Sequence, residues 1–177
     1  CILSGITCGI VGTYVVARRM VFLSGGITHA SFGGVGMALY YGLNPLLGAF
    51  LFALLAAFGV EYASSKGRIR EDSAIGLMWS VGMAIGVLFM SMRSGYVSGD
   101  LSSYLFGSIT TVTDGDVYAM ALLTLFLLIG TSLWLRPVMY VAFDRDYSRS
   151  ADIPTAVISY IMAAVVAVTI VLSIRVM

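Results

Sequence analysis

The sequence predicts an all-α fold, a polytopic bundle of transmembrane helices, and three observations lead to this prediction. Apolar residues make up 59% of the chain and charged residues 11%, whereas soluble globular domains average about 45–50% and about 25%. The apolar residues form segments of roughly 20 residues, the length that a helix needs to cross ~30 Å of hydrocarbon. The charged residues are confined to short stretches between these segments. We therefore expect one transmembrane domain over residues 1–177.

About six membrane spans are predicted in this chain. The apolar segments cover residues 1–17, 21–43, 45–63, 74–92, 117–135 and 155–177. Asn44 is a suitable N-cap for the third segment, and Pro45 suits the first helical position because its missing N–H is not needed there. Both ends of the chain lie inside apolar runs, so we expect a fragment that is truncated at both ends.

The basic residues predict the orientation of the spans. Arg18 and Arg19, the patch at residues 66–72 and the region 136–149 all fall on one side of the membrane, and the positive-inside rule makes that side cytoplasmic. In residues 93–116 only the piece 104–109 is continuously apolar, which is too short to span. We expect a re-entrant or interfacial segment there on the outer side, with Tyr96 and Tyr104 at the headgroup level.

Two polar stretches are expected at the cytoplasmic side. Glu71 and Asp72 are interpreted as the start of the fourth helix, where Asp72 or Ser73 would cap and the helix dipole favours negative charge. Residues 143–154 form the largest polar insertion, with alternating charges that suit a short surface helix. The usual interpretation of such charges is a solvated face.

His29 is the one histidine of the chain, and it lies in the second predicted span among glycines. Two interpretations stay open. It could be a packing residue hydrogen-bonded to a neighbouring Ser or Thr hydroxyl, or a metal ligand, since ionisable groups inside membranes are rare and often functional. A single imidazole does not complete a metal site, so further ligands would come from another span, another subunit or water.

Several function classes are not supported by the residues. The segment 33–36 is rich in glycine but lacks the Lys and Ser/Thr of a phosphate-binding loop, so no ATP site is expected. We find no paired catalytic residues and expect no enzyme activity. The charges form no basic patch, so no nucleic-acid partner is indicated. Cys1 and Cys8 match no metal-ligand spacing and are interpreted as packing residues.

Five segments together resemble the permease subunit of zinc- and manganese-type metal ion ABC transporters. They cover residues 12–36, 71–76, 82–86, 100–108 and 143–154. The resemblance implies a homodimer in a bacterial or archaeal inner membrane, an external metal-binding protein and cytoplasmic ATPase subunits. It implies transport of a divalent ion (zinc, manganese or iron) and no permanently bound cofactor.

The resemblance also assigns two groups of candidate residues. His29 would be a transient ligand on the ion path, although Gly25 stands where the family usually places an aspartate. The segment 144–154 resembles the coupling helix that fits a groove on the ATPase. Its candidate residues are Asp144, Arg145, Asp146, Arg149, Asp152 and Pro154.

Three alternatives to the metal permease remain open. A permease of the vitamin B12 and iron-siderophore type would share the outer and coupling segments but is not expected to carry the histidine. A secondary transporter or channel without an ATPase would be expected to have broken helices with charged residues at mid-membrane. An intramembrane enzyme fits least, because the required residue pairs are missing.

Overall fold

The computed structural model describes residues 2–65, 69–92 and 112–176, and all regular secondary structure in these ranges is α-helical. The all-α prediction is thus confirmed. The helices are α1 (Ile2–Ala17), α2 (Phe22–Tyr41), α3 (Pro45–Ser65), α4 (Glu71–Ser91), α5 (Asp114–Phe143), α6 (Arg145–Ser150) and α7 (Thr155–Val176). Residues 93–111, which hold most of the predicted outer segment, and residues 66–68, which include Lys66 and Arg68, lie outside the described ranges.

Four of these helices, α3, α4, α5 and α7, are long and apolar enough to cross a membrane. Helices α1 and α2 meet that criterion only as a pair, and their axes differ by 114° at the break between them. Four to five spans in the described residues agree roughly with the six expected. Helix α2 does not meet the criterion by itself because its glycines, hydroxyl residues and His29 lower its mean hydropathy, although its 20 residues are enough to span.

Glycine packing brings α2 against α4. A Cβ added to Gly33 would lie 2.7 Å from the carbonyl oxygen of Gly82, and one added to Gly36 would lie 2.6 Å from that of Gly86. Such backbone approach is possible only without side chains, and it is a common mode of helix association in membranes. The four-residue spacing of Gly82 and Gly86 predicts a tight helix contact, and the structure confirms it with α2 as the partner.

Helix α5 extends beyond its predicted end at residue 135. It continues to Phe143 and contains Pro137, with a break at Trp134 where φ is −122° and ψ is 19°. Proline lacks the N–H that would bond to the carbonyl four residues earlier, so the helix kinks but need not stop. The helix therefore continues past Arg136 and Pro137, eight residues beyond the predicted end of the fifth apolar segment.

The long helices pack side by side, and ion pairs hold the two ends of the bundle. At one end, the residues after α1, near the end of α3 and at the start of α6 meet through Arg18, Glu61 and Arg145. At the other end, Asp116 of α5 meets Arg175 of α7. The first end carries most of the described basic residues and is the one predicted to be cytoplasmic.

Candidate functional site

His29 stacks on the indole of Trp79, which lies on α4. The ring centroids are 4.4 Å apart and the planes differ by 11°. The close glycine contacts between α2 and α4 bring the two rings into this register. The Nδ1 atom of His29 is buried and has no hydrogen-bond partner in the part of the chain that the structure describes. The imidazole is therefore fixed by stacking and keeps an unused ring nitrogen.

The hydroxyls near His29 are occupied by their own helix. Thr28 donates to the carbonyl of Ser24 at 2.8 Å, and Ser31 donates to the carbonyl of Thr28 at 2.6 Å. Such bonds to the preceding turn are the usual arrangement for these residues inside a helix. Among the described residues, the buried Nδ1 of His29 therefore lacks the hydroxyl hydrogen bond that the packing interpretation expects.

Trp79 also covers Gly25, one helical turn before His29. A Cβ built on Gly25 would lie 3.6 Å from Cζ3 of Trp79, an ordinary van der Waals contact. Within residues 2–65, 69–92 and 112–176, no group of three or more His, Cys, Asp or Glu side chains could hold a metal ion. His29 thus lies under an aromatic ring and belongs to no such group of ligands among the described residues.

The predicted surface helix is α6, and Asp144 starts it. The Asp144 carboxylate accepts hydrogen bonds from the backbone N–H groups of Asp146 and Tyr147 at 3.0 and 2.9 Å. This is an N-cap, which satisfies donors that a helix start leaves unpaired. The segment ends at Asp152, which adopts a left-handed φ of 55°, and Pro154 directly precedes α7.

The charges of α6 divide into two groups. Asp146 and Arg149 point outward, with the Asp146 side chain 95% exposed, and the 3.9 Å separation between them makes a weak surface pair. Arg145 turns inward, where it donates to Oγ of Ser159 on α7 at 2.9 Å and pairs with Oε1 of Glu61. The expectation of a solvated face therefore holds for Asp146 and Arg149 and was wrong for Arg145.

Glu61 lies on α3 and its side chain is only 3% exposed. Its Oε2 atom lies 3.0 Å from Nη2 of Arg18, while Oε1 faces Arg145. Arg18 also donates from Nη1 to the hydroxyl of Tyr14 at 3.0 Å. One buried carboxylate thus joins two arginines from different parts of the chain, and charge pairing of this kind is what makes burial of such groups tolerable.

The fourth helix begins at this cluster. Glu71, the first residue of α4, accepts a hydrogen bond from Ser64 at 2.5 Å and lies 3.6 Å from Nη2 of Arg18. The residue before it, Arg70, occupies the N-cap position without a side-chain cap. Glu71 is thus a helix-start residue, as predicted. The expected cap by Asp72 or Ser73 was wrong, because the N-cap position lies two to three residues earlier, at Arg70.

Burial and neighbouring charges act in opposite directions on Arg18. Burial lowers the pKa of its guanidinium, but the attraction of Tyr14, Glu61 and Glu71 outweighs burial, so that the pKa lies above its ordinary value. Arg18 therefore remains charged. The cluster itself contains two arginines, Arg18 and Arg145, and two carboxylates, Glu61 and Glu71, so its formal charges balance.

Glu61 is not among the candidate residues that the sequence predicted. It stands in an apolar helix whose other residues fit a membrane span, and an intramembrane carboxylate indicates a partner of opposite charge. That signal was available, but the partners were not, because Arg145 lies 84 positions further along the chain. A small cavity beside the pair is lined by residues of α1, α2, α3 and α7, among them Arg18 and Glu61.

A second ion pair, between the half-buried Arg175 and the buried Asp116, lies at the opposite end of the bundle. Nε of Arg175 lies 2.6 Å from Oδ1 of Asp116. The other carboxylate oxygen of Asp116 accepts from the backbone N–H and the hydroxyl of Thr113, at 3.0 and 2.7 Å, which completes a capping box at the start of α5. This pair joins α5 to α7 far from α6.

Comparison with known proteins places these features in a family. A family model described as the ABC 3 transport family matches residues 1–177. An uncharacterized membrane protein of Synechocystis is 37% identical over 171 residues, 97% of this chain and 60% of that protein. The manganese transport system membrane protein MntC of Halalkalibacterium halodurans is 31% identical, over 91% of this chain and 55% of its own length.

A solved structure shows the same fold. The structure of PsaBC from Streptococcus pneumoniae in complex with Fab matches with a TM-score of 0.77 and 27% identity. The match covers 98% of this chain and 62% of that chain. The present chain therefore spans between 55% and 62% of the length of these three proteins.

Proposed function

This chain belongs to the ABC 3 transport family, and on that premise we propose that it is part of a permease subunit that imports divalent metal ions across the inner membrane of a bacterium or archaeon. One observation carries the proposal beyond family membership. A capped, charged helix, α6, lies between two membrane helices at the predicted cytoplasmic end and leaves Asp146 and Arg149 exposed. An exposed charged helix of this kind is expected where a membrane protein binds a cytoplasmic partner.

Manganese is the first ion to test, followed by zinc and iron. The support comes from the relatives, since the protein of Halalkalibacterium halodurans is named for manganese transport. The imidazole of His29 is a suitable ligand for transition metals, whereas carboxylate and water suit manganese particularly well. With Gly25 in place of a carboxylate, we propose that His29 contacts an ion that keeps part of its water shell.

The partners follow from the proposed role. We propose that two cytoplasmic ATPase subunits grip α6 and its equivalent in a second permease copy, so that the working unit is a homodimer. An external metal-binding protein would deliver the ion to the opposite end. ATP is hydrolysed in the partner subunits, and this chain supplies the path and the connection rather than catalysis.

The transport mechanism that suits this arrangement is alternating access. Closure of the ATPase subunits displaces α6, and the displacement passes to the helices that it contacts. Helices α2 and α4, which hold His29 and Trp79, then change their separation at one end. Because these helices touch backbone to backbone through glycines, they move against each other as packed bodies, as in other shear motions.

The test is uptake into proteoliposomes that contain the full-length permease with its ATPase and external binding protein. Uptake of Mn²⁺, Zn²⁺ and Fe²⁺ is compared with uptake of an iron-siderophore and of vitamin B12, with and without ATP. ATP-dependent uptake of one or more divalent ions, and none of the chelates, is expected. Chelate uptake without uptake of free ions would replace the proposal by the siderophore and vitamin B12 alternative, and ATP-independent uptake would favour a secondary transporter.

A further inference from the structure

We infer that Glu61 is a positioning residue that fastens the coupling helix α6 to the membrane helices, so that force on α6 reaches the start of α2 and α4. The inference rests on the proposed function of α6. It concerns a carboxylate inside α3 that does not touch the proposed ion path. The connection consists of two ion pairs that share Glu61, one with Arg145 and one with Arg18.

The contacts of Glu61 are divided between two arginines. Oε1 faces Arg145, the first residue of α6, and Oε2 faces Arg18, which follows α1 and precedes α2 by a few residues. The side chains of Glu61 and Arg18 are 3% and 6% exposed, whereas that of Arg145 is 25% exposed. The link therefore begins at the surface of the bundle and ends in its interior.

Local helix electrostatics do not account for these positions. Glu61 lies in the last turns of α3, where the helix dipole disfavours a carboxylate. Arg145 lies in the first turn of α6, where the dipole disfavours a cation. Neither charge is stabilised by the dipole of its own helix, and each is stabilised by the other across the helices.

The remaining contacts extend the link to α7 and to the start of α4. Arg145 also donates to Ser159, which is buried on α7. Arg18 lies 3.6 Å from Glu71, where α4 starts. Helices α2 and α4 carry His29 and Trp79. When Arg145 is displaced, the ion pairs through Glu61 and Arg18 therefore either resist the displacement or pass it on to α2 and α4.

The surface charges of α6 are placed differently. Asp146 and Arg149 have no partner within the bundle among the described contacts, apart from their mutual 3.9 Å pair. Asp146 and Arg149 are therefore available to contact an ATPase, whereas Arg145 contacts the membrane helices through Glu61 and Ser159. One short helix thus presents separate sets of charges to its two sides.

The test compares Glu61→Gln with Asp116→Asn, which removes a buried carboxylate charge from the ion pair at the opposite end. Hydrogen exchange of residues 144–153 is measured in the assembled permease–ATPase complex in lipid nanodiscs. The number of metal ions imported per ATP hydrolysed is measured with the same complex in proteoliposomes. Arg145→Gln serves as a second variant, because it breaks the link while leaving the pair of Arg18 and Glu61 intact.

We expect exchange in residues 144–153 to be roughly tenfold faster or more in both Glu61→Gln and Arg145→Gln, since breaking a buried pair is strongly destabilising. ATP hydrolysis should continue while the number of ions per ATP falls by about tenfold, and combining the two substitutions should add little to either one. Asp116→Asn should leave exchange in this segment as in the wild type.

Unchanged exchange in Glu61→Gln, or an equal increase in Asp116→Asn, would overturn the inference. If the Glu61→Gln complex does not assemble, the inference is tested with Arg145→Gln, and unchanged exchange in residues 144–153 of that variant would overturn it. The exchange measurement needs no transported substrate. A wild-type complex that imports no divalent metal would therefore refute the proposed function. The inference about Glu61 would still be tested by the hydrogen exchange of α6.

Discussion

The His29 imidazole lies flat against the Trp79 indole, with a centroid separation of 4.4 Å, and its Nδ1 atom faces no hydrogen-bond partner among the described residues. The pair joins α2 to α4 within the interface that their glycines form. An ion bound to the imidazole would lie beside the indole, so the tryptophan can report on it.

Trp79 fluorescence should detect metal at His29. The chain has two tryptophans, and Trp134→Phe removes the other, which is exposed at the kink of α5. In this background Mn²⁺ should quench the Trp79 emission with a saturable dependence on concentration, because the paramagnetic ion would lie next to the ring. His29→Ala should abolish saturable quenching. Equal quenching with and without His29 would show that the ion binds elsewhere.

Gly25→Asp should strengthen metal binding. Position 25 lies one helical turn before His29, so a carboxylate there shares its face, and a Cβ at this position meets Trp79 only at an ordinary contact distance of 3.6 Å. We expect the apparent affinity for Mn²⁺ to rise about tenfold or more, as a second anionic ligand is added to one imidazole. Isothermal titration in detergent would measure this, with Gly25→Asn as an uncharged control. An affinity no higher than that of Gly25→Asn would contradict a shared ion site.

Gly33→Ala should destabilise the bundle. A methyl group on Gly33 would lie 2.7 Å from the carbonyl oxygen of Gly82, so α2 and α4 would have to separate. Overpacking of this kind costs about 1–3 kcal/mol. A lower midpoint of thermal unfolding in detergent is expected. Gly76→Ala is the matched control, because its new methyl group would have no neighbour within 4 Å. Equal midpoints in the two variants would show that close packing at Gly33 is unimportant.

Asp144→Ala should fray α6. The carboxylate of Asp144 caps two backbone N–H groups, and losing such a cap costs about 0.5–2 kcal/mol. Hydrogen exchange of residues 145–150 should become faster, whereas Asp144→Asn should resemble the wild type because asparagine caps as well. If Asp144→Asn frayed the helix as much as Asp144→Ala, the negative charge rather than the cap would be responsible.

The helices were predictable because their cause is local. A run of about 20 apolar residues specifies a spanning helix, and Pro45 marks the start of α3 where the structure has it. The contact at Gly82 and Gly86 followed from their four-residue spacing, which puts both on one face. Pro137 misled the prediction, because neighbouring helices can support a chain that continues past a proline.

The candidate site was less predictable because its contacts are not local. The stack of His29 on Trp79 depends on the register between α2 and α4, which backbone contacts between glycines determine. The inward turn of Arg145 depends on Glu61, 84 positions earlier. Within α6 alone, the sequence offers no reason for Arg145 to differ from Arg149.

The most direct test of the account is ATP-dependent uptake of Mn²⁺, Zn²⁺ and Fe²⁺ by the full-length permease with its partners, comparing the wild type with His29→Ala and with Ser24→Ala. Ser24 lies on the same helix and donates only to the Val21 carbonyl. The account predicts that His29→Ala abolishes uptake of at least one ion while assembly and ATP hydrolysis persist, and that Ser24→Ala transports as the wild type does. Undiminished uptake of all three ions by His29→Ala would contradict it.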